Sequence, residues 1–176
     1  MKFSEMRLDG VYLIEMEPVT DERGFFARTW CQREFKEHGL NPQLVQCSVS
    51  FNTLRGTVRG MHYQDEPHAE TKVVRCTRGA LFDALIDLRP NSPSFRQWIG
   101  VELTADNRRM LYVPPGIAHG FQTLEDNTEV AYQISEFHHP ECAKGVRWDD
   151  PAFGLTWPEP VRIIAPRDQR YPDFEV

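Results

Sequence analysis

The chain has 176 residues, 40% hydrophobic and 26% charged, the make-up of an ordinary globular protein long enough to bury a core without disulfide or metal staples. Its net charge of −6 argues against a general nucleic-acid-binding surface, while leaving room for a local cationic pocket drawn from Arg23, Arg59, Lys72 and Arg167. Cys31, Cys47, Cys76 and Cys142 form no close pair, so reduced structural thiols are expected rather than a zinc ribbon or a redox dithiol. Met1 to Glu15 lacks the continuous apolar stretch of a signal peptide, and no run approaches the ~20 apolar residues that span a bilayer. One domain over residues 1–176 is expected, in a soluble cytoplasmic protein with neither membrane nor nucleic acid as partner.

Strand signals dominate along the chain. Val11-Tyr12-Leu13-Ile14 is a short apolar run closed by the turn residues of Pro18 to Gly24, and Phe25 to Trp30 is aromatic-rich. Cys31 to Leu40 is the best helix candidate, with Phe35 and Leu40 apolar and Gly39 near its end. Lys72 to Leu88 reads as two strands broken at Arg78-Gly79. Trp98 to Leu103, Met110 to Val113, Phe121 to Leu124 and Val130 to Ser135 continue the pattern. Short strands punctuated by thirteen prolines and eleven glycines predict an all-β sandwich or barrel, followed from His138 by a loop-rich C-terminal portion.

Two strand-like segments each carry one histidine beside glycines: Arg59-Gly60-Met61-His62-Tyr63-Gln64, and Pro114 to Phe121 around His119. The second has the P-x-G-x-x-H form of the later motif of cupin barrels. A cupin metal site takes two closely spaced histidines and a glutamate from the earlier motif, and one histidine from the later. Gln64 stands where the second histidine is needed, leaving His62, Glu70 and His119 as three donors. Three donors can still hold a catalytic metal, but the lost ligand favours a pocket that does proton chemistry, without metal or cofactor. A histidine oriented by a carboxylate suits proton removal near neutral pH, a tyrosine can serve as the opposing acid, and a cation can hold a forming oxyanion. His62, Asp168, Tyr132 and Lys72 supply these types.

Each also has an ordinary reading: hydrogen-bonded barrel histidines for His62 and His119, core or rim for Tyr132, solvated tail charge for Asp168. His38, His68, His138 and His139 read as surface residues. No Gly-rich phosphate loop, nucleophile elbow or dinucleotide fingerprint is present, so hydride transfer and serine hydrolysis have no support.

In order and spacing the motifs resemble the dTDP-4-dehydrorhamnose 3,5-epimerase family over about Val11 to Pro172. The pieces are Asp21 to Phe26, Gly56 to Gln64, Lys72 to Cys76, Asp87-Leu88-Arg89 with Ser92-Pro93, Pro114 to Phe121, Glu129 with Tyr132, Trp148 to Pro151, Trp157-Pro158 and Arg167-Asp168. The resemblance implies a cupin jelly-roll barrel with a short helix and an irregular C-terminal segment, forming a homodimer. It implies an isomerase inverting C3, C5 or both in a nucleotide-linked 4-keto-6-deoxyhexose, foremost dTDP-4-dehydro-6-deoxyglucose. His62 then looks like the base, Asp168 its carboxylate, Tyr132 the acid and Lys72 the cation for the enolate. Arg23 and Arg59 look like diphosphate ligands, with Gln46, His119 and Arg167 as further pocket members. Phe26 and Phe137 belong to the same substrate-binding set, Phe137 where the family often has a base-stacking Tyr.

Three positions depart from the pattern: Arg28 where many members have Glu, Ser48 where many have Asn, and Ala143 where many have Glu. A changed base, a changed sugar, or inversion at one carbon alone is consistent with them. The rival readings are a keto-sugar isomerase on the same fold, a metal-dependent cupin using His62, Glu70 and His119, and a non-catalytic sugar-nucleotide-binding barrel.

Overall fold

Residues 1–175 are described by a computed structural model; Val176, the last residue of the expected domain, lies outside them. In chain order the strands are β1 (Lys2–Glu5), β2 (Tyr12–Glu15), β3 (Val19–Asp21), β4 (Gly24–Phe26), β5 (Gln46–Asn52), β6 (Thr57–Gln64) and β7 (Lys72–Arg78). They continue as β8 (Ala80–Asp87), β9 (Trp98–Thr104), β10 (Met110–Val113), β11 (Ile117–Thr123), β12 (Thr128–Ile134), β13 (Ala143–Gly145) and β14 (Ile163–Ile164). Helices are short, α1 (Gln32–Glu37) and α2 (Pro166–Gln169). One sheet runs β1-β2-β10-β7-β12-β5; the other runs β13-β6-β11-β8-β9, with β14 added beside β6. Two facing, mainly antiparallel sheets whose strands alternate between them form the all-β jelly roll that the strand pattern predicts.

Inward-facing residues change character along each strand, and this divides the interior into a core and a cavity. On β7, Val74 and Cys76 join the central apolar cluster while Lys72 faces the cavity. On β12, Val130 is fully buried in that cluster, and Tyr132 and Ile134 line the cavity. Leu81, Leu85, Leu103, Leu111 and Phe121 complete the dry end.

Close approach of β6 and β11 requires glycine. A Cβ on Gly60, where φ is +130°, would stand 2.5 Å from the Gly120 Cα, and a residue with a side chain fits neither the conformation nor the space.

Four segments differ from the sequence expectation. Pro18 to Gly24 is not a plain turn region, since β3 and β4 form a hairpin there and pair only with each other. β11 begins at Ile117 rather than Phe121 and carries His119 inward. β1 is polar and lies at a sheet edge, which hides it from an apolar-run search. β5 escapes for a different reason: its inward residues Gln46, Ser48 and Ser50 face the cavity and not the core, so they are polar. None of the cysteines is paired, and burial pushes the Cys76 thiol up to about 11.

The Asp87-Leu88-Arg89 motif is structural. The Asp87 carboxylate has no exposed surface and accepts hydrogen bonds from Arg89 (2.7 and 2.9 Å), Ser92 (2.5 Å) and Ser94 (2.6 Å). Burial alone would raise its pKa, but the Arg89 guanidinium and the two hydroxyls overcome that and hold it at about 2. The folded value lies below the unfolded one near 4. Its stabilisation, about 2 kcal/mol, is therefore present at neutral pH and lost as pH falls from about 4 to 2. Thermal melts of Asp87→Asn should show a deficit at pH 7 that shrinks markedly by pH 3; a deficit independent of pH would assign the loss to packing instead.

Candidate active site

A cavity of about 800 Å³ opens at the polar end between the two sheets. His62 enters from β6 on one sheet, and Tyr132 and Lys72 enter from β12 and β7 on the other. The short helix α2 closes one side. It carries Asp168 inward, where the carboxylate is 3% exposed, and leaves Arg167 at the rim.

The His62 Nε2–H donates to Asp168 Oδ1 at 2.7 Å, and the Gly60 N–H donates to Asp168 Oδ2 at 3.2 Å. Burial works against the Asp168 charge, yet the bonds from His62 and Gly60 and the nearby Arg167 leave its pKa lowered, so it is a carboxylate at neutral pH. An ionised carboxylate only accepts, which fixes the His62 proton on Nε2. Nδ1 is then the free acceptor, with no hydrogen-bond partner among the described residues. The Tyr171 ring meets His62 edge-on at 6.3 Å and helps fix its plane.

Tyr132 sits deep. Burial, and then the charge of Asp83, push its phenol pKa above the usual value, with Arg59 opposing, so the group stays protonated as a donor. Lys72 forms an ion pair with Glu70 at 2.7 Å, both side chains mostly buried, which holds the ammonium in one place. His119 Nε2 donates to Asp83 Oδ2 at 3.1 Å and lies 2.9 Å from Oδ1, and its ring meets Tyr132 edge-on at 6.1 Å. Burial pushes the Asp83 carboxyl up, against the pull of His119 and Lys72.

The cavity thus brings together His62, Tyr132, Lys72, Asp168, Gln46, Ser48, Arg59, His119 and Arg167 from the expected set. Four cations (Arg59, Lys72, Lys144, Arg167) against two carboxylates (Glu70, Asp168) give it a positive balance inside an acidic protein. Arg23, Phe26, Arg28 and Phe137 do not line it. Arg23 and Phe26 lie on the β3–β4 hairpin, which makes no sheet contact with the barrel; Arg23 pairs with Asp21 at 2.5 Å, and Phe26 is 78% exposed. Arg28 is exposed and paired with Glu34 at 2.9 Å, so the reversed charge at this position is balanced outside the cavity. Phe137 is exposed beyond the rim, with its backbone carbonyl tied to Gln64.

Sequence reasoning passed over Asp83, Asn52 and Tyr171. The signal for Asp83 is a carboxylate in the middle of the apolar strand Ala80–Asp87, flanked at alternate positions by Leu81 and Leu85. Asn52, whose Oδ1 accepts from Arg59 Nε at 2.7 Å, and Tyr171, whose hydroxyl accepts from Arg167 Nε at 2.9 Å, are connected to the site only by the fold. Among the described residues His62, Glu70 and His119 do not gather as a three-ligand group; His62 is engaged with Asp168, Glu70 with Lys72 and His119 with Asp83.

A jelly roll with a carboxylate-bound histidine, a lysine and a buried phenol converging on one cationic cavity defines a cupin-type barrel equipped for proton transfer on a small anionic ligand. The family model for dTDP-4-dehydrorhamnose 3,5-epimerase matches residues 5–175, and the chain belongs to that family of isomerases. It is 44% identical to the dTDP-4-dehydrorhamnose 3,5-epimerase of Methanothermobacter thermautotrophicus, over 97% of this chain and 92% of that protein. The crystal structure of the Elizabethkingia anophelis enzyme of the same name superposes with a TM-score of 0.96 at 36% identity, covering 99% of this chain and 96% of that one. The Bacillus anthracis enzyme, solved with TDP and PPi bound, superposes at 0.94 with 37% identity, covering 98% of this chain and 99% of that one.

Proposed function

We propose that this chain inverts C3 and C5 of dTDP-4-dehydro-6-deoxyglucose, with His62 as the base, Lys72 as the enolate cation and Tyr132 as the acid. The observation that carries the reading is the placement of His62 and Tyr132 on opposite sheets of one cavity, the first with a free Nδ1 and the second held protonated. A ketone at C4 acidifies the hydrogens on both neighbouring carbons, because the charge left behind spreads onto oxygen. In the gluco-configured chair these two hydrogens are axial on the same ring face. One base on that face and one acid across the ring therefore serve both centres in turn. The Lys72 ammonium lowers the barrier by meeting the charge that develops on the C4 oxygen. Arg59, Lys144 and Arg167 supply the charge to hold a diphosphate.

Incubation with this substrate in deuterated water tests the function. Deuterium should enter at C3 and C5 with inversion, read by NMR. Label at one carbon alone would make the enzyme a mono-epimerase, and no label with dTDP, CDP or GDP sugars would sink the reading.

The protein works as a homodimer of single-domain chains in the cytoplasm, without membrane or nucleic-acid partners, in deoxysugar biosynthesis for cell-surface polysaccharide. Support for the dimer comes from the outer face of the β1-β2-β10-β7-β12-β5 sheet. Helix α1 covers one part through Phe35 against Val73, Met110 and Tyr112. On β5, by contrast, Val49 and Phe51 are left 64% and 46% exposed, and the β3–β4 hairpin holds Phe26 in solvent nearby in sequence. A second copy on this face would bury these residues. Sedimentation should give about twice the 20.5 kDa chain mass, and Phe51→Asp should return the monomer.

A further inference from the structure

The histidines read as surface residues are not all on the surface, and two of them sit with a glutamate in an arrangement the epimerase chemistry does not use. His68 lies on the loop after β6; Glu136 and His139 lie on the segment after β12. One ligand-capable atom from each falls within 4.8 Å of the others, and all three residues are half-buried. Among the described residues this is the one such grouping of three. We propose that His68, Glu136 and His139 form a binding site for a zinc-class divalent transition cation, distinct from the catalytic cavity.

Three further observations carry the assignment. The first is rigidity of the scaffold. Gln64 is 3% exposed; its Nε2 donates to the carbonyls of His68 (2.6 Å) and Phe137 (2.9 Å), and its Oε1 accepts from the His139 N–H (2.8 Å). One buried side chain thus ties both loops together at the positions that present the donors. A backbone bond from Asp65 N–H to the Cys142 carbonyl at 2.9 Å adds a second tie. The second is orientation. His139 Nδ1 faces Glu141 Oε1 at 3.1 Å, which leaves Nε2 as the ligand atom, in the manner of a carboxylate–histidine–metal relay. Glu136 Oε1 accepts the Phe137 N–H at 2.7 Å and leaves Oε2 free.

The third is the ring geometry. His68 and His139 stack in van der Waals contact, with centroids 3.5 Å apart and planes 5° from parallel, so the two loops already bring both imidazoles to one place. Parallel planes keep the lone pairs from meeting at a point, and chelation turns one ring so that they converge, drawing the donors to about 3.4 Å apart for metal–nitrogen bonds near 2.1 Å. Two imidazoles, one carboxylate and an open position for water form a set that favours zinc, and nickel or copper by the general affinity order, over magnesium or calcium. The ion would brace the Phe137–His138 segment, whose His138 lines the cavity.

The test is isothermal titration of the untagged, chelator-treated full-length protein with ZnCl₂ and CoCl₂ at pH 7.5. We expect one ion per chain, with affinity weakened at least about 30-fold in Glu136→Gln and more in His139→Ala. Binding should also weaken at acidic pH, because protons compete with the metal for its ligand atoms. His62→Ala should bind the ion as the parent does, which separates this site from the catalytic one. Glu136→Gln is nearly isosteric and guards against loss of binding through misfolding. No stoichiometric binding would overturn the assignment, as would binding unchanged in Glu136→Gln and His139→Ala or abolished by His62→Ala.

Discussion

His62→Ala should cut turnover of dTDP-4-dehydro-6-deoxyglucose by about 10³-fold or more and stop deuterium entry at both C3 and C5. A thousandfold loss corresponds to about 4 kcal/mol of barrier. The reason lies in the hydrogen bonds. Asp168 claims the Nε2 proton of His62, so Nδ1 is the basic atom, and no other neutral base is as well placed: Lys72 is occupied by Glu70, and His119 is turned to Asp83. The substitution removes a side chain whose ring is partly exposed in the cavity and leaves the dry core untouched. The far-UV spectrum and dTDP affinity should therefore stay close to those of the parent. Exchange that persists in a folded His62→Ala protein would remove His62 from the role of base.

Much of this was readable from residue order, and the limits of reading have physical causes. Lys72 to Leu88 reads as two strands because both are apolar on their inner faces, and β7 and β8 meet at Arg78-Gly79 where expected. β5 is as long as β7 but faces the cavity, so its polar alternation carries no burial signal. Asp168 reads as a solvated tail charge because the four-residue helix that turns it inward is too short to leave a periodic trace. Gln64 reads as a lost ligand position. Its service as a tie between two loops depends on contacts to His68, Phe137 and His139, four to 75 positions away in the chain. Arg23 and Phe26 are expected in the pocket and stand outside it, because their hairpin pairs with neither of the two main sheets.

Tyr132→Phe separates the two halves of the reaction more cleanly than any other substitution. Proton removal needs His62 on one wall; proton delivery needs a donor on the opposite wall, and the buried phenol of Tyr132 is kept in its donating form by desolvation and by Asp83. Phenylalanine keeps the ring, and with it the edge-on contact to His119, while deleting the one proton the enolate requires from that side. The expected outcome is substrate that gains deuterium at its original configuration, because His62 can return a solvent-exchanged proton to the face it came from. Inverted product should fall by about 10²-fold or more. Equal loss of exchange and inversion would mean that Tyr132 acts before the enolate forms, through substrate placement. Inversion at the parent rate would mean that another donor or water serves the far face. Only exchange with retention fits a base and an acid acting from opposite sheets.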